Sequence, residues 1–283
     1  MNNSQTFKHI GIGVAFSPNL KANLAEALRL AISLNAHITL IHVGEQSADK
    51  RQDLIDALPQ VNREKAQWDL VFEPGNPVET ILNVAQRLQI DLLLLGALKQ
   101  EGFLKYYVGS IARKITKKAK CSVLLMINPT EEQSSCEHIV VNGLNTTGTD
   151  RTIKTAFEVA HRLNSDLITI VDELDEKEIK IKAEDSKTLR KSSILKQKLE
   201  IREHQRIKKV VEEINDVFKQ NIKVVYQHIF GKRGYSIGHY AEIARADLLV
   251  MNAPLKSNFI HKFFPHDMDY ILNELPTDVL IVR

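Results

Sequence analysis

The chain carries one pattern twice. His9-Ile10-Gly11-Ile12-Gly13-Val14 is matched by His138-Ile139-Val140-Val141-Asn142-Gly143. The same offset of 129 pairs Ala27 with Ala156, Ala31 with Ala160, Leu34 with Leu163 and Asn35 with Asn164. Further along, an offset of 156 pairs Gly75 with Gly231, Ile81 with Ile237, Ala85 with Ala241, and Asp91-Leu92-Leu93 with Asp247-Leu248-Leu249. The second copy therefore carries a 27-residue insertion between the two blocks. Ordered matches in constant register mark an internal repeat, and a repeat decides architecture before any single motif does. A length of 283 residues then suits two domains of ordinary size, ~100–200 residues each.

Each copy reads as alternating strands and helices. In the first, Ile10 to Val14 is a short apolar run followed by a helix from about Leu20 to Leu34. Leu24, Ala27, Leu28, Ala31 and Ile32 recur at helical spacing, and Asn35 is placed to end the helix. A strand from Ile38 to Val43, a helix over Ser47–Leu58 and a strand over Trp68–Phe72 come next. Gly75-Asn76-Pro77 punctuates before a helix to Leu88, and Asp91 to Leu95 is a continuous apolar strand of the kind buried on both faces. A helix over Ser110–Ala119 and a strand over Ser122–Ile127 close the copy. The second copy repeats the order with strand Ile139–Gly143, helix Asp150–Leu163, and strands Leu167–Val171, Ile222–Phe230, Leu248–Met251 and Val279–Val282. This alternation predicts two tandem α/β domains, each a doubly wound, five-stranded, mostly parallel sheet flanked by helices and Rossmann-like in class. The expected boundaries are domain 1 at 1–128, a polar linker opened by proline at 129–137, and domain 2 at 138–283.

Composition narrows the function classes. The formal charge of +3, from 38 basic and 35 acidic residues, gives no warrant for a polyanionic partner such as nucleic acid. No apolar run approaches the ~20 residues of a membrane span. Residues Met1 to Thr6 lack a basic region before an apolar core, so no secretory leader is expected. Cys121 and Cys136 are too few for a disulfide framework and fit a reducing cytoplasm as buried or incidental thiols.

The richest candidate site follows the strand Asp91–Leu95. Ligands of parallel doubly wound sheets bind beyond the carboxyl ends of the strands, and there the chain reads from Gly96 through Lys99 and Gly102 to Gly109-Ser110, where a helix starts. Glycine lets backbone approach a ligand closely. A helix start offers free N–H groups and a positive dipole end to a phosphate. The pattern suits holding a phosphate and supplies no machinery for cleaving one. Its other reading is a loop whose glycines serve turns, with Ser110 capping the helix.

The order of these features resembles the universal stress protein family in its tandem two-domain form. The features are Ile10–Val14 with Phe16-Ser17-Pro18, Ile41-His42-Val43, Gly75-Asn76-Pro77 with Ile81 and Ala85, Asp91–Gly96, Gly109-Ser110, and Cys121-Ser122-Val123-Leu124-Leu125. The resemblance implies an adenine nucleotide alpha hydrolase-like fold. It also implies a cytoplasmic, non-catalytic stress-response protein of bacterial type, with ATP or AMP as the ligand and magnesium left open. Family members that bind ATP carry glycine, two residues, glycine, nine residues, then glycine and serine or threonine. That spacing falls on Gly96, Lys99, Gly109 and Ser110, and the implied nucleotide-binding residues are Val43, Gly96, Lys99, Gly102, Gly109 and Ser110. Lys99 stands where the family has glycine, and Ala15 where its nucleotide binders have Asp. Lys99 could lend charge to a phosphate or block the backbone approach. Both readings stay open.

In the second copy the matching positions are Asn252, Leu255, Asn258, Pro265 and His266, and a proline removes a backbone donor at the phosphate end. No second nucleotide site is expected. His261, His266 and Asp267 lack a recognised metal-ligand spacing and read as surface residues. Residues 173–219 read as a charged insertion with a looser start, then an extended amphipathic helix striped by Leu195, Leu199, Ile207, Val210, Val211, Ile214, Val217 and Phe218. A solvated helix is the expectation; a partner or dimer arm is the alternative. Final strands of related domains commonly pair at the interface, so an intramolecular pseudo-dimer through Val123–Met126 and Val279–Val282 is expected, a homodimer being a further possibility. The rival functions are a nucleotide-free interaction scaffold and, with no triad or paired carboxylates behind it, a nucleotide hydrolase.

Overall fold

The computed structural model describes residues 6–99, 106–132, 134–174, 185–231, 234–253 and 265–283. The chain forms two compact units, Met1–Ser135 with Leu272–Arg283, and Cys136–Ile271.

The first unit runs β1 (His9–Val14), α1 (Leu20–Leu34), β2 (His37–Val43), α2 (Ala48–Asp56), α3 (Gln60–Lys65), β3 (Trp68–Glu73), α4 (Pro77–Arg87), β4 (Leu92–Gly96), β5 (Leu98–Lys99), β6 (Tyr106–Tyr107), α5 (Ser110–Lys118) and β7 (Ser122–Met126). The second runs β8 (His138–Asn142), α6 (Thr149–Leu163), β9 (Leu167–Leu174), α7 (Ser186–Glu212), β10 (Lys223–Phe230), α8 (Tyr235–Ile243) and β11 (Leu248–Asn252). Two elements remain, α9 (Pro265–Asn273) and β12 (Asp278–Val282).

Within the first unit the strand order is β12-β7-β4-β1-β2-β3, and within the second β10-β9-β8-β11. Pairings among β1, β2, β3, β4 and β7 are parallel, as are those among β8, β9, β10 and β11. Order therefore reverses beside β1 in one unit and beside β8 in the other, which opens a crevice at the carboxyl ends of β1 and β4 and another at those of β8 and β11. The strand that closes the second sequence copy, β12, is counted with the first unit. It pairs antiparallel with β7, Val279 opposite Leu125 and Ile281 opposite Val123.

Burial explains the elements. Leu24, Ala27, Leu28 and Ala31 form the fully covered stripe of α1, where each such leucine contributes roughly 1.5–3 kcal/mol relative to exposure. Asn35 ends the helix in the left-handed region at φ 54°, and Asn164 ends α6 likewise at φ 57°, a conformation asparagine tolerates better than most residues. Gly75, at φ +141°, must be glycine on two grounds: the backbone is left-handed, and a Cβ would lie 2.6 Å from Thr80 Oγ1.

The repeat holds residue by residue, with one refinement. His9 is opposite His37 across β1–β2, whereas His138 is opposite Leu167 across β8–β9. One of the extra residues thus sits in the turn after Asn164, and the rest lie between β9 and β10. Among the described residues the insertion is mostly α7, whose Asp185 forms a reciprocal cap with Thr188. Its expected start is corrected: Glu173 and Leu174 are buried residues of β9, not part of a looser charged segment. Residues 175–184 lie outside the described residues. The helix expected over Ser47–Leu58 is α2, with the Ser47 hydroxyl accepting from Lys50 N, followed by the separate short α3.

Candidate functional site

The crevice of the first unit is bounded by the ends of β1 and β4 and the first turns of α1 and α5. Gly96 closes β4 and is exposed, with Ala97 N donating to Met126 O at 2.8 Å. The segment expected as a plain loop starts and finishes as a small antiparallel ladder, Leu98 opposite Tyr107 and Lys99 opposite Tyr106. The two tyrosines suit paired strands. The ladder folds the segment back, so that Leu98 Cδ1 lies 2.9 Å from where a Cβ on Gly109 would stand. Gly96 and Gly109 are thereby brought to the same end of the sheet. Gly102 lies outside the described residues, and for Lys99 only the backbone is described.

Gly109, rather than Ser110, is the N-cap of α5, and among the described residues no side chain caps this helix. The alternative reading, with Ser110 as the cap, does not hold: Ser110 is the first helical residue, one position too late to serve. Among the described residues the leading N–H groups of α5 therefore have no side-chain acceptor, and they carry the positive end of the helix dipole. An anion fits there on physical grounds.

Four further hydrogen bonds hold the outgoing arm, and sequence reasoning missed them all. Val108 N donates to Leu272 O at 3.1 Å, Leu275 N to Tyr106 O at 3.0 Å, and Arg113 on α5 reaches Leu272 O and Asn273 Oδ1 at 2.9 and 2.8 Å. The bracing residues come from more than 150 positions away, and no local pattern announces them.

On the other side of the crevice, Val43 is the half-buried last residue of β2, its neighbour Gly44 donating to Glu73 O at 3.0 Å. His42 is buried and its Nδ1–H donates to Val14 O at 3.2 Å. Its ring packs edge-on against Phe16 at 5.3 Å and Phe72 at 5.2 Å between centroids. Ala15 is exposed and offers no polar side chain.

The second unit fills the corresponding space with its own groups. Asn252, at the position of Gly96, donates from Nδ2 to Thr146 Oγ1 at 3.0 Å. Asn142 Oδ1 accepts from Leu144 N at 2.9 Å. Helix α7 lies over the end of β8: Arg206 Nη2 donates to Gly143 O, and Ile207 Cδ1 would be 3.1 Å from a Cβ on Gly143. The buried Glu203 holds Arg206 and Arg202, each Nε at 2.7 Å. Burial alone would push the Glu203 carboxyl up, but its bonds to Arg206 and Arg202 prevail and hold it below the usual range. Glu173, at the place of Val43, is 1% exposed and accepts from Gly234 N at 3.0 Å and Ile237 N at 2.8 Å. A buried carboxylate thus occupies the start of α8. Leu255, Asn258 and His261 lie outside the described residues, as do the side chains of Pro265, His266 and Asp267.

No helix among the described residues is long and apolar enough to cross a membrane. Against known proteins, residues 6–126 match the model of the universal stress protein family. The stress response protein NhaX of Bacillus subtilis is 28% identical over 79 residues, which are 28% of this chain and 48% of that protein. Universal stress protein D of Escherichia coli K12 is 29% identical over 108 residues, 32% of this chain and 76% of that protein. The chain spans about half the length of the first curated relatives it matches. The crystal structure of a universal stress protein from Archaeoglobus fulgidus DSM 4304 has the same fold, with a TM-score of 0.69 at 13% identity over 97% of this chain and 98% of that one. Residues 6–126 thus match the universal stress protein family, and the α/β fold of the chain is the one seen in a universal stress protein structure.

Proposed function

We propose that the chain is a cytoplasmic, non-catalytic stress-response protein of bacterial type that binds an adenine nucleotide, ATP or AMP, in its first copy alone. The observation behind this reading is the contrast between the two crevices. In the first, Gly96 is exposed and, among the described residues, the start of α5 has no side-chain cap. In the second, Asn252 stands at the position of Gly96 and Glu173 at that of Val43, both with satisfied side chains, and Arg206 of the insertion bonds Gly143 O at the end of β8. Val43, Gly96, Gly109 and Ser110 would line the nucleotide, with the phosphates toward α5; Lys99 and Gly102 belong to the same segment.

Calorimetric titration of ATP and AMP into the whole chain, with and without magnesium, tests this directly. Saturable binding with one site per chain is expected, and no heat at high protein concentration defeats the reading. Gly109→Asp sharpens the test. An aspartate at an N-cap favours the helix, and the Leu98 methyl that its Cβ would meet belongs to an exposed side chain that can swing aside, so the fold is kept while the carboxylate takes the place of the phosphate and binding is lost. Turnover of ATP above a buffer control, lost in Ser110→Ala, would overturn the non-catalytic part.

A second reading, a nucleotide-free interaction scaffold, draws on a different observation. Leu98, Tyr107 and Ile111 are 51%, 37% and 47% exposed around the same segment, a grouping of apolar side chains that suits protein contact. It is favoured if titration is silent.

A further inference from the structure

Asn23 closes the first turn of α1, facing the end of β4. Its side-chain oxygen is buried and, among the described residues, has no hydrogen-bond partner. That oxygen is 3.3 Å from where a Cβ on Gly96 would stand, with Nδ2 at 3.7 Å. A buried acceptor left unpaired costs roughly 1–3 kcal/mol, so such atoms are rare and call for a reason. In the second unit the corresponding groups are satisfied: Thr152, at the position of Asn23, donates to Gly148 O at 3.1 Å, and Asn252, at that of Gly96, donates to Thr146. The same two places in the fold are thus closed in one copy and open in the other.

The geometry points to Asn23 as a ligand-contacting residue of the first crevice, its carboxamide oxygen accepting a hydrogen bond from a sugar hydroxyl of the bound nucleotide. This rests on the nucleotide reading above and adds to it which part of the molecule is met there. A carboxamide oxygen only accepts. A phosphate at neutral pH also presents acceptors, so the two do not pair, whereas a hydroxyl supplies the missing proton. Gly96 is the partner in this arrangement, because it lacks the side chain that would keep Asn23 and a ligand apart. A turn of the carboxamide off Gly96 presents the oxygen to the incoming hydroxyl and removes the cost of leaving it unpaired.

The test uses the whole chain and three probes: ATP, 2′-deoxy-ATP and 3′-deoxy-ATP. Wild-type protein is expected to bind ATP about tenfold more tightly than one of the two deoxy compounds, the factor that 1.4 kcal/mol represents. Asn23→Leu, close in volume and unable to accept, should bind all three alike, near the weaker value. Asn23→Asp retains acceptor oxygens and should retain the preference. Melting temperature supplies the second readout: a purely structural Asn23 would lower it on change to Leu, whereas removal of an unpaired acceptor leaves it level or raises it. A preference that survives in Asn23→Leu, or wild-type protein that never distinguishes the three probes, overturns the assignment while leaving nucleotide binding intact. Wild-type protein that binds none of them defeats the nucleotide reading itself, and this inference with it.

Discussion

Asp91 and Asp247 make the same bond in their respective units. Asp91 Oδ2 accepts from Lys8 N at 2.8 Å and Oδ1 from His9 N at 3.2 Å, while Asp91 N donates back to His9 O. Asp247 Oδ2 accepts from Glu137 N at 2.8 Å and His138 N at 2.9 Å, and Asp247 N donates to His138 O. Each carboxylate fastens the start of one central strand to the start of its neighbour. Burial pushes the Asp91 carboxyl up, against the pull of the Lys8 and His9 amides. Changing Asp91 to Ala leaves those amides without their acceptor, and about 1–3 kcal/mol of stability should be lost. Urea unfolding monitored by circular dichroism should show a lower midpoint for Asp91→Ala and for Asp247→Ala. An unchanged midpoint in both would mean that water replaces the carboxylates at no cost.

The histidines beside these carboxylates are also duplicated. His9 Nδ1–H donates to Leu88 O at 2.9 Å, which leaves Nε2 to accept from the Thr39 hydroxyl at 2.8 Å. His138 does the same with Ala244 O and Thr169. Both bonds suit a neutral ring. Burial first, and the neighbouring His37 second, hold His9 below the ordinary histidine range. The unfolded chain therefore binds a proton at His9 more readily than the folded one. Stability from this group is complete above the ordinary value of about 6.5 and is lost as pH falls through it. Unfolding midpoints measured from pH 8 to 5 should fall, and His9→Gln should flatten that slope. A slope that is the same in the variant assigns the effect elsewhere.

Much of this was legible along the chain. The offset of 129 joins the two helix ends at Asn35 and Asn164, and the structure gives both the same left-handed conformation. The offset of 156 joins Gly75 and Gly231, each of which would meet the hydroxyl of the residue five positions on, Thr80 or Ser236, if it had a Cβ. Local periodicity carried the strands and helices because each buries a stripe whose spacing the backbone sets. What stayed hidden depends on distant residues. Arg206 reaches Gly143 across 63 positions and Glu173 reaches Ile237 across 64, so a segment rich in charge read as solvated although two of its carboxylates are buried. The bracing of Val108 by Leu272 has no signal in either stretch alone. Nothing in the sequence marks Asn23; only the absence, among the described residues, of a partner for its side-chain oxygen singles it out.

Cys121 tests the electrostatics of the first unit from another direction. Burial pushes its thiol up to about 11, and the thiolate is the reacting species. At pH 8 only about one molecule in a thousand carries it, by the tenfold change per pH unit. Alkylation by iodoacetamide, followed by peptide mass spectrometry, should be slow at Cys121 in the folded chain and fast in urea. The folded-state rate should keep rising past pH 9. A rate that levels off between pH 8 and 9 would show an ordinary thiol.

The second crevice makes the sharpest prediction about division of labour. Glu173 is buried against the start of α8, where two backbone amides meet one carboxylate. Hydrogen bonds to a charged group contribute about 1.5–3 kcal/mol each in favourable settings, and the helix dipole adds to them. Glu173→Ala should therefore lower the unfolding midpoint clearly. Glu173→Gln, which keeps one acceptor but loses the charge, should fall in between. Neither change touches Val43, Gly96, Gly109 or Ser110, so ATP affinity at a temperature where both variants are folded should match the wild type. Loss of ATP binding in Glu173→Gln would place the nucleotide in the second copy and reverse the assignment of the site. An unchanged midpoint in Glu173→Ala would instead show that the amides of Gly234 and Ile237 are as well served by water, and that the buried carboxylate contributes no stability to α8.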